Sequence, residues 1–196
     1  MLKRIALMTL AAVLVVSNAF ATPTEDVKKT VDEVVRIVTS KDMKMHEQKR
    51  RQSLKKCIGA IFDYGEMARR SLGKNWNQRS AAEKKRFTEL FATLLENSYA
   101  GKIESYNNEK IIYLKETADG DFSEVKSKVI TQKRDEYSLD YRLQKENGRW
   151  MVYDVVIEGV SLTANYRGQF NKIISASGYP ELVRKLQAKS NELKVQ

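Results

Sequence analysis

The sequence predicts an α+β domain in which helices pack on a twisted antiparallel sheet. Three observations predict this class. Apolar residues recur at helical spacing up to residue 101, they alternate as in strands over residues 110–158, and helical spacing returns after residue 158. The chain has 196 residues, of which 42% are hydrophobic and 31% are charged. That is an ordinary composition and length for one globular domain.

The first 21 residues have the features of a secretory signal peptide. Lys3 and Arg4 give a positive start, residues 5–16 are apolar, and Ala19-Phe20-Ala21 fits the small-x-small cleavage pattern. The apolar run is short for a membrane span, which needs about 20 residues, and an uncleaved N-terminal anchor is the alternative. We therefore predict a signal peptide at 1–21 and a single domain at 22–196. Loss of the two basic residues lowers the net charge from +10 to +8.

The composition excludes several classes of site. With one histidine (His46) and one cysteine (Cys57), the chain lacks the ligands of common zinc sites and cannot form an internal disulfide. It contains no G-x-x-x-x-G-K-[ST] or G-x-G-x-x-G phosphate loop. We therefore predict no metal site. Cys57 lies in an apolar stretch, so we expect its thiol to be buried and inert.

Two N-terminal segments differ in their expected surfaces. Thr22-Pro23-Thr24-Glu25 is a capping box with proline at the first helical position, and valines follow it at helical spacing. Residues 41–56 are mostly basic and polar. A solvated helix face or loop is the simpler interpretation of this segment. A nucleic-acid patch is the alternative, which the predicted export disfavours.

The clearest helix begins at a second capping box, Ser80-Ala81-Ala82-Glu83, and Gly101 is its expected end. Its apolar residues recur at i, i+3, i+4, i+7 and i+8 and predict one apolar face about five turns long. The members of this stripe are Phe87, Leu90, Phe91, Leu94 and Leu95, with Tyr99 near the end.

Residues 110–158 predict antiparallel strands, because β-branched and aromatic residues alternate with polar ones. Asn147-Gly148 lies between two of these runs and is the strongest short hairpin signal. After residue 158 a helical stripe resumes. Gly178 is expected to end that helix and Pro180 to begin another.

A two-residue turn at Asn147-Gly148 also predicts the register of its hairpin, because it pairs Glu146 with Arg149. Regular alternation then gives one mostly apolar face, which we expect to lie against the apolar helices. Periodicity does not distinguish a filled core from a hollow pocket at that place. The pairs predicted on this face are Leu143 with Val152, Tyr141 with Asp154, and Leu139 with Val156.

Asp154 is the one acidic residue on the predicted face. A buried carboxylate needs partners, so a structural role with hydrogen bonds to Tyr141 or to the backbone is the simpler interpretation. The alternative is a general base whose pKa is raised by burial, with Tyr141 as a hydrogen-bond donor. Asp63 and Glu66, near a helix junction, are interpreted as capping residues.

Several strings of the sequence occur in the order found in one known family. They are Phe62-Asp63-Tyr64-Gly65-Glu66-Met67-Ala68, Leu72-Gly73-Lys74-Asn75-Trp76, Phe87-Thr88-Glu89-Leu90-Phe91, Trp150-Met151-Val152-Tyr153-Asp154-Val155-Val156-Ile157-Glu158-Gly159-Val160-Ser161-Leu162 and Asn165-Tyr166-Arg167-Gly168-Gln169-Phe170. These strings resemble the MlaC-type family of periplasmic phospholipid-binding, toluene-tolerance proteins. The Tyr-Asp-Val-x-x-x-Gly-Val-Ser part is the most specific. The resemblance covers about residues 25–190.

The resemblance implies a soluble periplasmic phospholipid carrier that is not an enzyme and needs no cofactor. It implies a sheet like that of nuclear transport factor 2 (NTF2-like), with an apolar pocket for acyl chains between sheet and helices. The implied partners are an inner-membrane ABC transporter with its lipid-binding ring protein, to which the chain is an auxiliary component, and an outer-membrane lipoprotein–porin complex. Such a route serves outer membrane lipid asymmetry. The alternatives are a carrier of another lipid such as a hopanoid, an NTF2-like enzyme using Asp154 as general base, and a structural adaptor with a filled core.

The face assignment and the resemblance together predict the lipid-binding residues. They come from the long helix, from the sheet and from the segment after it: Phe91, Leu94, Leu95, Tyr99, Leu139, Tyr141, Val152, Val156, Val160, Leu162, Tyr166 and Phe170. The basic cluster of Lys49, Arg50, Arg51 and Lys55 is a candidate docking patch, because a basic surface attracts anionic headgroups or an acidic partner.

Overall fold

The computed structural model describes residues 21–192, in which helices pack on an antiparallel sheet. This confirms the predicted α+β class. The signal peptide predicted at residues 1–21 lies, apart from Ala21, outside the described residues. The helices are α1 Pro23–Thr39, α2 Lys41–Met45, α3 Glu47–Gly59, α4 Tyr64–Leu72, α5 Ala81–Glu104 and α6 Leu162–Glu192, with a 3₁₀ helix at Gly73–Gln78. The strands are β1 Lys110–Asp119, β2 Phe122–Ile130, β3 Glu136–Glu146, β4 Arg149–Ile157 and β5 Val160–Ser161.

Helices α1 and α5 begin where the sequence predicts, but α5 ends later than predicted. Both capping boxes form, with the side chains of Thr22 and Ser80 accepting from backbone N–H groups three residues on. Helix α5 runs past Gly101 to Glu104, so the predicted end at Gly101 is wrong. Gly101 is exposed, and a Cβ there would meet no neighbouring atom. An exposed glycine weakens a helix by only about 1 kcal/mol, which does not end a helix that is packed along its other face.

Helix α6 is interrupted at Gly178, as predicted. The backbone there has φ 80° and ψ 167°, a conformation that only glycine adopts without strain. Pro180 follows and belongs to the first turn of the second half of the helix, where its missing N–H costs nothing. Among residues 21–192, no helix is both long enough and apolar enough to cross a membrane.

The strands follow one another in the sheet in chain order, each antiparallel to the next. The predicted turn at Asn147-Gly148 forms, with positive φ at both residues, and pairs Glu146 with Arg149. The edge of β4 that faces away from β3 pairs with β5 and also with the segment before α4. Asp63 N–H donates to the carbonyl of Val152, and Val152 N–H donates to the carbonyl of Ile61. These two bonds tie α4 to the sheet.

The register predicted for β3 and β4 is wrong beyond the first four pairs. Leu143 lies opposite Val152 as predicted, but Arg142 lies opposite Asp154, so Tyr153 is an extra residue in β4. One inserted residue moves every later side chain of the strand to the other face. Tyr141 consequently pairs with Val155 rather than Asp154, and Leu139 pairs with Ile157 rather than Val156.

The main hydrophobic core is formed by α4, α5, α6 and the start of α1 together with one face of the sheet. Its most buried large side chains include Met67, Leu72, Phe87, Phe91 and Leu143, which are all inaccessible to solvent. A smaller apolar cluster of Ile37, Val38 and Leu54 joins α1 to α3, with Cys57 partly buried beside it.

Candidate functional site

An aromatic cluster joins α5 to α6 inside the main core. Phe87 and Phe91 lie one turn apart on α5, and Tyr166 and Phe170 lie one turn apart on α6. The ring centroids of Phe91 and Tyr166 are 5.2 Å apart, those of Phe91 and Phe170 are 5.6 Å apart, and both pairs are nearly perpendicular. Edge-to-face packing at these distances is a favourable arrangement of aromatic rings. This aromatic cluster forms one wall of the apolar layer between helices and sheet, which we call the core layer.

The sheet supplies the opposite wall of the core layer. Val125, Tyr141, Leu143, Val152 and Val155 are buried members of the same core as the aromatic cluster. They come from β2, β3 and β4, and the extra residue in β4 brings Val155 onto this face. Both walls are thus apolar, as predicted for the face that meets the helices.

The structure brings most of the predicted lipid-binding residues into the core layer. Those that are buried in the main core or packed against it are Phe91, Leu94, Leu95, Tyr99, Leu139, Tyr141, Val152, Leu162, Tyr166 and Phe170. Val156 is buried but does not belong to this core, because the bulge turns it to the other face. Val160 is 58% exposed in the short strand β5.

The sequence did not identify several residues that line the core layer. Val155 is one of them, because the alternation pattern does not reveal the bulge in β4. Met67 and Leu72 of α4, both fully buried, were also missed. A signal for α4 was present, since Met67 lies in one of the strings that carry the family resemblance.

Tyrosine hydroxyls add polar atoms to the core layer without adding charge. Burial raises the pKa of Tyr141 above its usual range. Burial, and then the charge of Asp32, raise the pKa of Tyr113 to about 12. The Tyr113 hydroxyl is buried and has no hydrogen-bond partner. Both phenols stay neutral at any physiological pH, so these walls remain uncharged.

Two surface cavities stand out in the described part of the chain, and neither is lined by a predicted lipid-binding residue. One, of about 540 Å³, lies between α5 and the end of α6 and is lined mainly by polar side chains such as Lys85, Arg86 and Gln187. The other, of about 260 Å³, lies beside Asp154, where α4 and the start of α6 meet β3 and β4. In the core layer itself, the rings of the aromatic cluster are in contact with one another.

Asp154 holds the start of α6 and does not lie in the core layer. Asp154 is only 2% exposed. Its carboxylate oxygens accept from the Ser161 hydroxyl at 2.6 Å and from the Thr163 N–H at 3.0 Å. Arg142 on β3 approaches the same carboxylate at 3.4 Å. A carboxylate on the first N–H groups of a helix is a stabilising cap. The structural interpretation of Asp154 is thus supported through the backbone, while the bond predicted to Tyr141 is absent from the bonds that Asp154 makes.

Asp63 likewise caps a helix, as predicted. Its carboxylate accepts from the N–H of Glu66 at 2.8 Å at the start of α4. Within residues 21–192, no three acidic, histidine or cysteine side chains come together as metal ligands would.

The basic cluster proposed as a docking patch lies on exposed helix α3, and each of its members has an acidic neighbour. Residues 47–59 therefore form a largely solvated helix face, which is the simpler interpretation of the basic segment. Ion pairing within the chain also leaves less of the charge for a partner. The pairs are Lys49 with Asp42 at 2.8 Å, Arg50 with Glu104 at 3.1 Å, Arg51 with Glu47 at 2.9 Å and Lys55 with Glu96 at 3.1 Å.

Comparison with known families decides which family this arrangement belongs to. The family model described as "MlaC protein" matches residues 28–188. The chain belongs to the MlaC family. The resemblance inferred from the sequence strings is thereby confirmed, and the matched range of this MlaC-family chain contains every predicted lipid-binding residue.

Two relatives and one solved structure resemble the MlaC-family chain. The "Intermembrane phospholipid transport system binding protein MlaC" of Haemophilus influenzae is 29% identical over 126 residues, which are 62% of this chain and 59% of that protein. The "Toluene tolerance protein ttg2D" of Pseudomonas putida is 25% identical over 186 residues, 90% of this chain and 84% of that protein. A phospholipid-binding protein from Ralstonia solanacearum, solved in complex with a phospholipid, matches with a TM-score of 0.79 and 28% identity. The match covers 89% of this chain and 99% of that one.

Proposed function

We propose that this protein is a phospholipid carrier that holds acyl chains in the core layer. The observation that carries the proposal is the match in fold to the R. solanacearum protein, which binds a phospholipid and is covered over 99% of its length. The relative from H. influenzae, named as part of an intermembrane phospholipid transport system, supports the same function. An uncharged apolar layer is also what acyl chains require.

The residues proposed to touch the acyl chains are the ten predicted residues that lie in the core layer, together with Val155. Val155 takes the place of Val156, which lies on the other face of β4. The rings of Phe91, Tyr166 and Phe170 touch one another, so an acyl chain can pass between α5 and α6 at this level only if the two helices move apart. The proposed carrier therefore opens its core layer to load.

The energetics of acyl chains predict how such a carrier releases its cargo. Burial of a methylene is worth about 0.8 kcal/mol, so about thirty methylenes have a gross transfer value of about 24 kcal/mol relative to water. This exceeds the ceiling of about 18–21 kcal/mol for non-covalent binding. Release into water is then negligible, whereas a membrane or another apolar pocket offers nearly the same environment. We propose that transfer occurs during contact with a partner.

The proposed route runs through the periplasm. The signal peptide at 1–21 would export the chain, and the partners would be an inner-membrane ABC transporter with its ring protein and an outer-membrane lipoprotein–porin complex. Intact mass measurement of the purified protein tests the first step, and a mature N-terminus at Thr22 is expected. A chain that retains residues 1–21 would refute cleavage and favour the anchor.

Organic extraction of the purified protein followed by mass spectrometry tests the cargo. Phospholipid near one molecule per protein is expected. A hopanoid or another lipid in its place would change the cargo while keeping the carrier. Protein that is empty however gently it is prepared would overturn the proposal.

Neighbouring residues of β4 provide a matched pair of variants. Val155 and Val156 are 7% and 6% exposed, but they point to opposite faces of the sheet. Val155→Trp fills part of the core layer and is expected to lower the lipid content several-fold. Val156→Trp adds the same volume on the other face and should leave the lipid content unchanged. Overpacking destabilises either variant by about 1–3 kcal/mol, so stability is measured alongside. If both variants carry the same amount of lipid, the acyl chains do not lie in the core layer.

A further inference from the structure

The cavity of about 260 Å³ beside Asp154 is lined by three arginines from three separate segments. Arg70 comes from α4, Arg142 from β3 and Arg167 from α6, and the other lining residues include Tyr153, Asp154 and Ser161. Three guanidinium groups against one carboxylate give the lining a net charge of +2. A cavity with an excess of positive charge attracts anions.

The single carboxylate of the lining is already occupied. Asp154 accepts from the Ser161 hydroxyl and the Thr163 N–H and is committed to the start of α6. Arg142 reaches it at 3.4 Å and reaches Glu124 at 3.3 Å. Both distances are longer than the 2.7–2.9 Å typical of strong charge-assisted bonds. The hydrogen-bonding capacity of Arg142 is therefore only weakly used.

The other two guanidinium groups also keep free capacity. Arg70 shares the carboxylate of Glu66 with Arg69, so one negative charge serves two arginines. Arg167 makes no ion pair with any residue among 21–192. The side chains of Arg70 and Arg142 are 31% and 40% exposed, which leaves the cavity accessible from solvent.

Two of the three arginines pack against neighbouring residues of the protein. The guanidinium of Arg70 stacks on the ring of Tyr153, 3.9 Å from its centroid. Tyr153 is the extra residue of the bulge in β4, so the irregularity of the strand presents this ring. The stem of Arg167 lies over Gly73, where φ is +54° and a Cβ would come within 3.0 Å of the Arg167 Cδ. Fixed guanidinium groups lose less freedom when they bind, which favours affinity.

We propose that this cavity binds a tetrahedral phosphate group, either free phosphate or the phosphodiester of a lipid headgroup. The planar fork of arginine matches phosphate oxygens and donates two parallel hydrogen bonds to them. The volume lies below the roughly 300–1,000 Å³ of pockets for drug-sized ligands, and so it suits a compact anion. None of the residues that line the cavity belongs to the core layer, so the site does not depend on acyl chains there.

Titration calorimetry of the purified protein with inorganic phosphate at low ionic strength tests the proposal. Saturable binding is expected, and Arg167→Gln should weaken it at least tenfold. Arg167 has no ion pair to lose, so this variant is expected to fold, and circular dichroism checks that it does. Arg70→Gln is a second lining variant with the same expected direction.

Lys172→Gln is the matched control, because Lys172 is an exposed cation of the same helix outside the cavity. It should leave the phosphate affinity within twofold. No saturation up to 20 mM phosphate, or equal weakening in Arg167→Gln and Lys172→Gln, would overturn the site. Glycerophosphoglycerol, a phosphodiester without acyl chains, separates the two sources. Binding as tight as phosphate supports a headgroup, and binding more than tenfold weaker supports free phosphate.

Discussion

Removal of the Asp154 carboxylate should destabilise the fold, because that carboxylate holds the start of α6 on the sheet. In Asp154→Ala, the Thr163 N–H and the Ser161 hydroxyl lose their acceptor. Thr163 is only 4% exposed, so water does not readily replace the lost acceptor. Asp154→Asn keeps one carbonyl oxygen for the Thr163 N–H but loses the charge. The two variants thus separate the hydrogen bonds from the charge.

The magnitude follows from the contacts. A hydrogen bond to a charged group contributes about 1.5–3 kcal/mol, and two such buried bonds together give about 3–6 kcal/mol. Arg142 adds less than about 1 kcal/mol, because its side chain is 40% exposed and solvent screens the pair. We expect Asp154→Ala to lower the free energy of unfolding by about 3–6 kcal/mol, and Asp154→Asn to lower it by about 1–2 kcal/mol.

Urea denaturation at one pH measures both changes, with an unchanged m-value as evidence that both variants unfold in the same way. Asp121→Ala is the control, since Asp121 is an exposed turn residue and should change stability by less than about 0.5 kcal/mol. A cost below about 1 kcal/mol for Asp154→Ala would refute the cap. Equal costs for the alanine and asparagine variants would refute the partition between hydrogen bonds and charge.

Three further variants test other parts of the structure. Phe91→Ala removes a fully buried ring from the aromatic cluster and should cost about 3–5 kcal/mol in urea denaturation; a cost below about 1 kcal/mol would mean that the cluster does not hold α5 to α6. Gly178→Ala forces a side chain into φ 80° and should lower the free energy of unfolding by about 1–3 kcal/mol in the same assay. An unchanged free energy of unfolding would mean that the protein does not need the break in α6. The charge of Asp63 raises the pKa of Glu146, so the folded protein binds protons more tightly there and loses stability as the pH rises above 4.5. Glu146→Gln should remove part of that loss between pH 4 and 7, and identical pH profiles of the urea midpoint would contradict it.

Local signals in the sequence predicted the helices and turns well, because each of these features is fixed by a few neighbouring residues. The capping boxes at Thr22 and Ser80, the turn at Asn147-Gly148 and the break at Gly178 all depend on such local chemistry. The bulge at Tyr153 has no such signal. Consecutive apolar residues at 155–157 fit either face of the sheet, so alternation could not reveal an inserted residue there.

The same distinction applies to the candidate sites. The aromatic cluster could be foreseen, since Phe91 and its neighbours recur at helical spacing on long helices. The arginine-lined cavity could not be foreseen, because Arg70, Arg142 and Arg167 are far apart in the sequence and meet only when α4, β3 and α6 are assembled. The bulge that changes the predicted register also presents Tyr153 to Arg70.

The chain-order arrangement of the strands has a consequence for how the protein folds. Hairpins with loops of two residues, such as those at residues 120–121 and 147–148, close at a low entropic cost. Pairing only between strands that are neighbours in the chain keeps the sequence separation of the sheet contacts small, which favours fast formation of the sheet. Helices α4 and α5 precede the sheet in the chain, and α4 joins it through Asp63 and Val152, which are far apart in sequence. We expect the sheet to form early and the helices to dock on it late. The contact formed last in folding is then the core layer, which is also the layer proposed to hold the acyl chains.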